Sequence, residues 1–325
     1  MNTYREILAT QGWPDVRRQL LCIAAAFGIF SQATATQTPD MAQVYQLARF
    51  ANAAYETTTE IKQVCRDNGY HLIHTGRVLN GTLRFFIAEN RHTRSTLIAV
   101  RGTDNLGNTI TDLDAKLIEN DHIPIRSHQG FTEAADAVYA AIAGRLNKSY
   151  FVSTVGHSLG GAVAVLLSMY LDHEGFKIQR VTTFGQPKLS DRKASNRFAH
   201  LPILRLVTEK DIVPLVPPVD LSQAMQWELD IFWHLGDEIL LLPGPYYTQV
   251  TGLDGILRSI DLIKEKPGKT NINAHRMEQY LLNLRQKVQS SVEVPFSQRK
   301  SPQPGKQNPS QKNLPQSTLP PESWI

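Results

Sequence analysis

The chain has 325 residues, of which 42% are hydrophobic and 20% charged, a composition typical of a globular protein with a sizeable core. The net charge is +4, of which the first 35 residues carry +1 and residues 289–325 carry +2, so that the body carries +1. This excludes the basic stripe that nucleic-acid binding requires. The two cysteines, Cys22 and Cys65, exclude a disulfide framework and a cysteine-based metal cluster.

The N-terminal segment has the pattern of an export signal. Residues 20–30 are apolar or small, follow a pair of arginines at 17–18 and precede a small-residue cleavage site at 33–35. Eleven residues are too few to cross a bilayer as a helix, which needs about twenty. We therefore predict a signal peptide over residues 1–35 and a secreted or periplasmic protein; a buried helix in a cytoplasmic protein is the alternative. Because a long polar segment precedes the arginines, a true translation start near Val16 is a further hypothesis.

The C-terminal segment differs in composition from the middle of the chain. From residue 291 onward it is rich in proline, glutamine, serine and asparagine and has almost nothing apolar to bury. This predicts a disordered tail over residues 291–325. The remaining residues, 36–290, have the length of one α/β enzyme domain.

Helices and strands alternate in this domain. Helical spacing of apolar residues predicts helices over 40–56, 131–146, 162–171, 191–200 and 275–288. Apolar runs predict strands over 70–78, 81–88, 96–101, 149–155, 178–184 and 203–207. The Asn80-Gly81 pair between the first two strands predicts a hairpin. The alternation from residue 131 onward predicts an α/β fold with a mostly parallel sheet and helices on both faces.

The sequence VGHSLGGA at 155–162 places a serine between glycines where a strand should turn into a helix. Such a G-x-S-x-G turn holds the serine on a strained bend, and glycines on either side let the two backbones approach closely. The bend also lies at a helix N-terminus, where backbone N–H groups favour negative charge. We predict that Ser158 is a nucleophile, that Gly156 and Gly160 allow the bend, and that the Leu159 N–H is an oxyanion-hole donor.

A serine nucleophile needs a histidine base and a carboxylate that orients the base. With this type of turn, the acid and then the histidine follow the serine along the chain. His234 and His275 are the candidate bases, because the other downstream histidines lie at the far ends of predicted helices. Asp211 is the favoured acid, since it follows a strand at its C-terminal end, where α/β sheets build their sites. Glu209 is its nearest rival, and the residues alone leave both choices open.

Several segments resemble those of the fungal-type, class 3 triacylglycerol lipase family of the α/β-hydrolase superfamily, in the same order. They are VGHSLGGA, FGQPKLSD at 184–191, RLVTEKDIVPLVPP at 205–218, WHLGDEI at 233–239 and AHRMEQYL at 274–281. The resemblance covers about residues 40–285, and the chain looks like a bacterial member of the family. It implies an α/β-hydrolase fold with a nucleophile elbow, and a carboxylic ester hydrolase that requires neither a metal ion nor an organic cofactor.

The resemblance also implies roles for individual residues. Ser158 is the expected nucleophile, His275 the base and Asp211 the acid that orients it. His234 falls in the family segment that precedes the catalytic histidine, and it stays the alternative base.

The segment AVRGTDN at 99–105 resembles the one from which the family supplies its second oxyanion donor, here Thr103. We interpret His157, next to the serine, as a packing residue. We interpret His128, in a segment that resembles a family H-x-G-F pattern, as part of the scaffold.

Residues 104–118 correspond to the mobile lid of the resembling lipases. They carry an apolar stripe at helical spacing, formed by Leu106, Ile110, Leu113 and Leu117. A fixed surface helix is the alternative. An acyl-binding groove or, alternatively, core packing is predicted for five aromatic residues: Trp227, Phe232, Trp233, Tyr246 and Tyr247.

The predicted activity is hydrolysis of acyl esters, acylglycerols first among them, through an acyl-enzyme. The alternatives are an acyltransferase or a phospholipase A1-type enzyme with the same three residues, and a catalytically silent lipid-binding module. The expected partners are a lipid or other acyl ester and transiently a membrane or lipid-droplet interface; no nucleic acid and no obligate protein partner are expected.

Overall fold

The computed structural model describes most of the chain. The described residues are 38–103, 116–217, 232–250, 254–255, 258 and 269–300. The predicted signal peptide and most of the predicted lid lie outside them. Among the described residues, no helix has both the length and the apolar content to cross a membrane.

A nine-stranded sheet forms the centre of the described chain, beside a small hairpin of β4 and β5. The strands are β1 His71–Val78, β2 Leu83–Asn90, β3 Ser95–Val100, β4 Leu117–Glu119, β5 Arg126–His128, β6 Phe151–His157, β7 Lys177–Phe184, β8 Ile203–Thr208, β9 Asp237–Leu241, β10 Tyr246–Val250 and β11 Val292–Glu293. Their order across the large sheet is β1-β2-β3-β6-β7-β8-β9-β10-β11. All neighbours from β3 to β9 pair in parallel, whereas β1, β2 and β3 pair antiparallel, as do β9 and β10. This confirms the predicted mostly parallel sheet and the hairpin at Asn80-Gly81.

Helices cover both faces of the sheet. They are α1 Met41–Ala53, α2 Thr58–Asp67, α3 Gln129–Ile142, α4 Leu159–His173, α5 Arg192–Arg197, α6 Lys269–His275 and α7 Met277–Gln289. One core cluster joins α3 and α4 to the sheet, and a second joins α1, α2 and α7 to its other face. Strand β3 shows why the central strands read as continuous apolar runs: Leu97 and Ala99 belong to one cluster, while Ile98 and Val100 belong to the other.

The helix starts follow local side-chain chemistry. The Asp40 carboxylate accepts hydrogen bonds from two N–H groups of the first turn of α1, and this cap fixes the start that the sequence predicts. Helix α2 begins with a reciprocal capping box between Thr57 and Glu60. Helix α2 was not predicted from the sequence, because only Ile61 and Cys65 of its residues are buried and its apolar stripe is correspondingly thin.

Three features of the structure differ from the sequence expectations. Strands β9 and β10 extend the sheet beyond β8, where no strand is predicted. The ordered chain continues past residue 290, because β11 pairs with β10 and Val294 is buried. Leu117 does not end a helical stripe; it is buried in strand β4, so the helical interpretation of residues 104–118 is wrong at its C-terminal end.

Candidate active site

The serine lies at the point where strand β6 turns into helix α4. Ser158 is the residue between them, with φ 58° and ψ −130°, and its N–H donates to the Phe184 carbonyl at 2.9 Å. A non-glycine residue at positive φ is costly and persists only where the surrounding structure enforces it. The backbone therefore has the strained strand–turn–helix geometry that the sequence motif predicts.

The glycines of the elbow are required by space. A Cβ on Gly156 would collide with the backbone of Gly160, and a Cβ on Gly160 would collide with the carbonyl of Val100 on the neighbouring strand. The contacts are with backbone atoms, which cannot rotate away as a side chain can. Helix α4 can therefore start directly above β6 only because these two positions lack side chains.

The predicted acid and base meet just past the C-terminal end of strand β8. The Asp211 Oδ2 lies 2.7 Å from the His275 Nδ1, and both side chains are fully buried. Asp211 is the third residue after β8, and His275 ends the short helix α6. The pairing joins residues 64 positions apart, so only the fold brings them together.

Asp211 accepts hydrogen bonds on both carboxylate oxygens. Its Oδ2 also accepts the Tyr280 hydroxyl at 2.6 Å, and its Oδ1 accepts the Val213 N–H at 2.9 Å. Burial alone would raise the pKa of Asp211, but His275 and these two hydrogen bonds outweigh it and hold the pKa below its usual value. Asp211 is therefore a carboxylate that can hold the Nδ1–H of His275.

The other ring nitrogen of His275 is the one available for chemistry. Its Nε2 is buried and has no hydrogen-bond partner within the described part of the chain. The ring lies next to the elbow, since its centroid is 4.6 Å from that of His157, the residue before the serine. Gly185 makes room for the pair, because a Cβ there would come within 2.7 Å of Asp211 Oδ2 and of the His275 ring.

The segment that carries the predicted second oxyanion donor runs beside the serine. A Cβ on Gly102 would lie 2.9 Å from the Ser158 Cβ, so the backbone just before Thr103 touches the elbow. The Gly102 N–H donates to the Tyr55 hydroxyl at 3.0 Å and is not available to a substrate. Leu159 opens helix α4, and the first N–H groups of a helix have no partner within it. Leu159 directly follows the serine and Thr103 follows Gly102 beside it, and their roles as oxyanion donors stay a prediction.

The rival residues lie in other settings. His234 is buried, and its Nε2 contacts the Pro214 carbonyl at 2.6 Å rather than a carboxylate. Burial, with Arg205 and Lys188 nearby, holds the pKa of His234 well below its usual value, so it stays neutral. Glu209 is exposed.

Three contacts around the site were not predicted. His157, interpreted from the sequence as a packing residue, contacts the Tyr55 hydroxyl through Nδ1 at 2.7 Å and the His275 carbonyl through Nε2 at 2.6 Å. Tyr280, which reads as an ordinary apolar position of a late helix, donates to Asp211. No local signal identifies Tyr55, His157 or Tyr280, because their partners lie 47 to 118 residues away in the chain.

The described aromatic residues and His128 pack as scaffold. Phe232 and Tyr247 are buried, and Tyr246 packs against a small cluster around Val294. His128 stacks on Phe131 with ring centroids 4.1 Å apart. Trp233 pairs with Ser190 through its backbone. Trp227 and the stripe residues Leu106, Ile110 and Leu113 lie outside the described residues.

Comparisons with known proteins show which proteins the chain is similar to. Residues 97–221 match the family described as lipase (class 3). The chain is 29% identical over 182 residues to a lipase of Rhizomucor miehei, a match that covers 51% of this chain and 47% of that protein. It is 29% identical over 143 residues to the secreted mono- and diacylglycerol lipase 1 of Fusarium solani, covering 41% of this chain and 43% of that protein. The chain thus spans less than half the length of these two relatives.

Among solved structures, the fold is similar to that of a lipase from Rhizopus microsporus var. chinensis. The TM-score is 0.53 at 24% sequence identity, and the match covers 64% of this chain and 76% of that one. The matched family segment contains β3, the elbow, helix α4, β7, β8 and Asp211. The serine elbow, the parallel sheet and these matches together show that the chain has the α/β-hydrolase fold and that its segment 97–221 is similar to the class 3 lipase family.

Proposed function

We propose that the chain hydrolyses carboxylic esters of lipids through a covalent acyl-enzyme. The observation that carries the proposal is the buried hydrogen bond between Asp211 and His275 beside the strained Ser158 elbow. A carboxylate on Nδ1 fixes the ring tautomer with its proton on Nδ1, which leaves the Nε2 lone pair as a base. A strand-to-helix turn with a purely structural role would need neither the Asp211–His275 pair nor a strained residue at position 158.

In the first half of the reaction, the Ser158 Oγ attacks the ester carbonyl while the His275 Nε2 takes its proton. The C–O bond of the ester breaks, and the same proton passes to the departing alcohol. In the second half, His275 takes a proton from water, the hydroxide attacks the acyl-enzyme, and Ser158 recovers its proton as the fatty acid leaves. The Leu159 and Thr103 N–H groups stabilise the negative oxygen of each tetrahedral intermediate, at about 3 kcal/mol per donor.

Acylglycerols are the proposed substrates. The support is chemical and comparative: an ester carbonyl matches the predicted donors and nucleophile, and both relatives named above are lipases, one of them a mono- and diacylglycerol lipase. We propose that the enzyme acts at a membrane or lipid-droplet surface. Hydrolysis rates of esters below and above their solubility limit test this, because action at an interface raises the rate at the emulsion point, whereas smooth saturation contradicts it.

The proposal is tested by ester hydrolysis and by labelling with a fluorophosphonate. Ser158→Ala and His275→Ala should each lower kcat for p-nitrophenyl esters by at least about 10⁴-fold, and Ser158→Ala should abolish labelling. His234→Ala is the matched control, a second buried histidine that should keep a measurable rate. Loss of activity in the His234 variant with full activity in the His275 variant would overturn the assignment. An unlabelled wild-type protein would favour a silent lipid-binding module, and transfer of the acyl group to added alcohols would favour an acyltransferase.

We also propose that the protein is exported and that residues 1–35 are removed. The apolar run behind two arginines supports this, as does the similarity to the secreted mono- and diacylglycerol lipase 1 of Fusarium solani. N-terminal sequencing of the protein isolated from its source cells tests it. A mature chain that retains residues 20–30 contradicts export by this route.

A further inference from the structure

The side chains of Tyr55 and His157 connect the elbow to two neighbouring segments, the one before Thr103 and the one that ends at His275. The Gly102 N–H lies 3.0 Å from the Tyr55 hydroxyl oxygen, which lies 2.7 Å from His157 Nδ1. The His157 Nε2 lies 2.6 Å from the backbone carbonyl oxygen of His275. The contacts run without a break from the segment before Thr103, past the serine, to the main chain of the proposed base.

The direction of each hydrogen bond follows from what each group can donate. The His275 carbonyl only accepts, so the His157 Nε2 must carry a proton and donate it. A neutral imidazole then has a lone pair on Nδ1, which accepts the Tyr55 O–H, and the Tyr55 oxygen in turn accepts the Gly102 N–H. Burial, with a smaller contribution from the neighbouring His275, lowers the pKa of His157 to about 3, in agreement with a neutral ring.

The surroundings keep this chain of contacts in place. His157 is 3% exposed, and its ring packs against those of Tyr55, His275 and Tyr280 at centroid distances of 5.8, 4.6 and 6.0 Å. Both nitrogens of His157 are in use, so it is not a second base. A neutral ring at this position also adds no positive charge beside His275.

We infer that Tyr55 and His157 are positioning residues that fix the main chain of His275 and the oxyanion segment relative to Ser158. The inference rests on the proposed ester hydrolysis and adds to it the residues that set the distances between the reacting groups. Neither residue touches the substrate in this account; each acts through a backbone atom of a neighbouring segment. Misplacement of reacting groups by about 1 Å can cost about 10²-fold in rate, which is the scale of effect expected here.

Three variants separate positioning from packing. Tyr55→Phe removes only the hydroxyl that joins Gly102 to His157. His157→Leu fills a similar volume without a polar atom, and His157→Gln keeps an amide N–H that reaches the His275 carbonyl. Tyr70→Phe is the matched control: Tyr70 packs in the same core cluster and its hydroxyl contacts Ser95 at 3.2 Å, away from the elbow.

The measurements are kcat and KM for a soluble p-nitrophenyl ester, the rate of fluorophosphonate labelling and the melting temperature. We expect kcat to fall about tenfold in Tyr55→Phe and about 10²-fold in His157→Leu, with KM nearly unchanged. His157→Gln should recover most of the loss, and Tyr70→Phe should keep the wild-type kcat. If His157→Leu fails to fold, Tyr55→Phe and His157→Gln still decide the question.

Three results would contradict the account, and they separate the positioning roles from the proposed function. Wild-type kcat in both Tyr55→Phe and His157→Leu would overturn the positioning roles and restore the packing interpretation of His157, with the proposed ester hydrolysis intact. Equal losses in His157→Leu and His157→Gln would also overturn them, since the retained N–H would then have no effect. A wild-type protein that neither hydrolyses esters nor reacts with the fluorophosphonate would instead overturn the proposed function itself.

Discussion

Two neighbouring regions hold the proposed reacting groups in opposite ways. The elbow, residues 155–161, is held by its backbone: two glycines without room for a side chain and a serine at φ 58°. The acid–base corner, residues 208–213 and 271–280, is held by side chains. There, an imidazole and a phenol from two separate elements each lie within 2.7 Å of one buried carboxylate oxygen.

The difference determines how each region can be damaged. Backbone geometry has few alternatives, so an added methyl group in the elbow displaces a strand or a helix. Asp211 has several hydrogen bonds in the corner, so the loss of one makes its carboxylate less firmly held but does not displace it. We therefore expect changes in the elbow to cost folding stability and activity together, and changes in the corner to cost activity first.

The largest effect is expected for Gly156→Ala. The added Cβ collides with the Gly160 backbone, and relief requires helix α4 to move away from β6. We expect the free energy of unfolding to fall by about 3 kcal/mol and ester hydrolysis to be lost. Urea unfolding and the p-nitrophenyl ester assay measure both quantities.

The control for this variant is Gly144→Ala. Gly144 has open space where its Cβ would stand and lies in a short 3₁₀ turn after α3. This variant should keep wild-type stability within about 0.5 kcal/mol and full activity. Wild-type behaviour of Gly156→Ala would contradict the backbone account of the elbow.

A smaller and more selective effect is expected in the corner for Tyr280→Phe. This change removes the hydroxyl that donates to Asp211 Oδ2, a hydrogen bond that lowers the pKa of Asp211. We expect kcat/KM to fall about tenfold at neutral pH. The pKa of Asp211 should rise, because its carboxylate loses one of the donors that lower it.

Tyr247→Phe is the matched control for this change. Tyr247 is a second buried tyrosine of the same core cluster, and its hydroxyl contacts Glu293 at 3.4 Å, outside the corner. Its kcat/KM should follow the wild-type pH profile. Wild-type kcat/KM in Tyr280→Phe would show that the phenol does not support the carboxylate.

The same difference explains how much could be predicted from the sequence. The elbow could be predicted because the residues that it requires lie within seven positions of one another. The parallel sheet could be predicted because helices and strands alternate along the chain. The corner depends on pairs such as Asp211–His275 and Thr208–Tyr280, which are 64 and 72 residues apart, so residue order alone left His234 and His275 open. Only the family resemblance favoured His275. The fold pairs His275 with Asp211, and the chain between them forms β9 and β10, two strands that the sequence did not predict.

His157 belongs to both regions, since its backbone is part of the elbow and its ring contacts the corner. Its titration gives the test with the smallest and most specific expected effect. Its pKa is about 3 in the folded protein and 6.5 in an unfolded chain, so below about pH 6.5 the unfolded state binds a proton that the folded state does not. Folding stability must therefore fall as the pH decreases, and this one group should contribute about 1 kcal/mol between pH 6.5 and 5.5. Urea unfolding of the wild type and of His157→Gln at these two pH values measures that share, because only the wild type can take up the proton. The stability of His157→Gln should decline less over this interval; parallel declines in the two proteins would mean that His157 is not held neutral between Tyr55 and the main chain of His275.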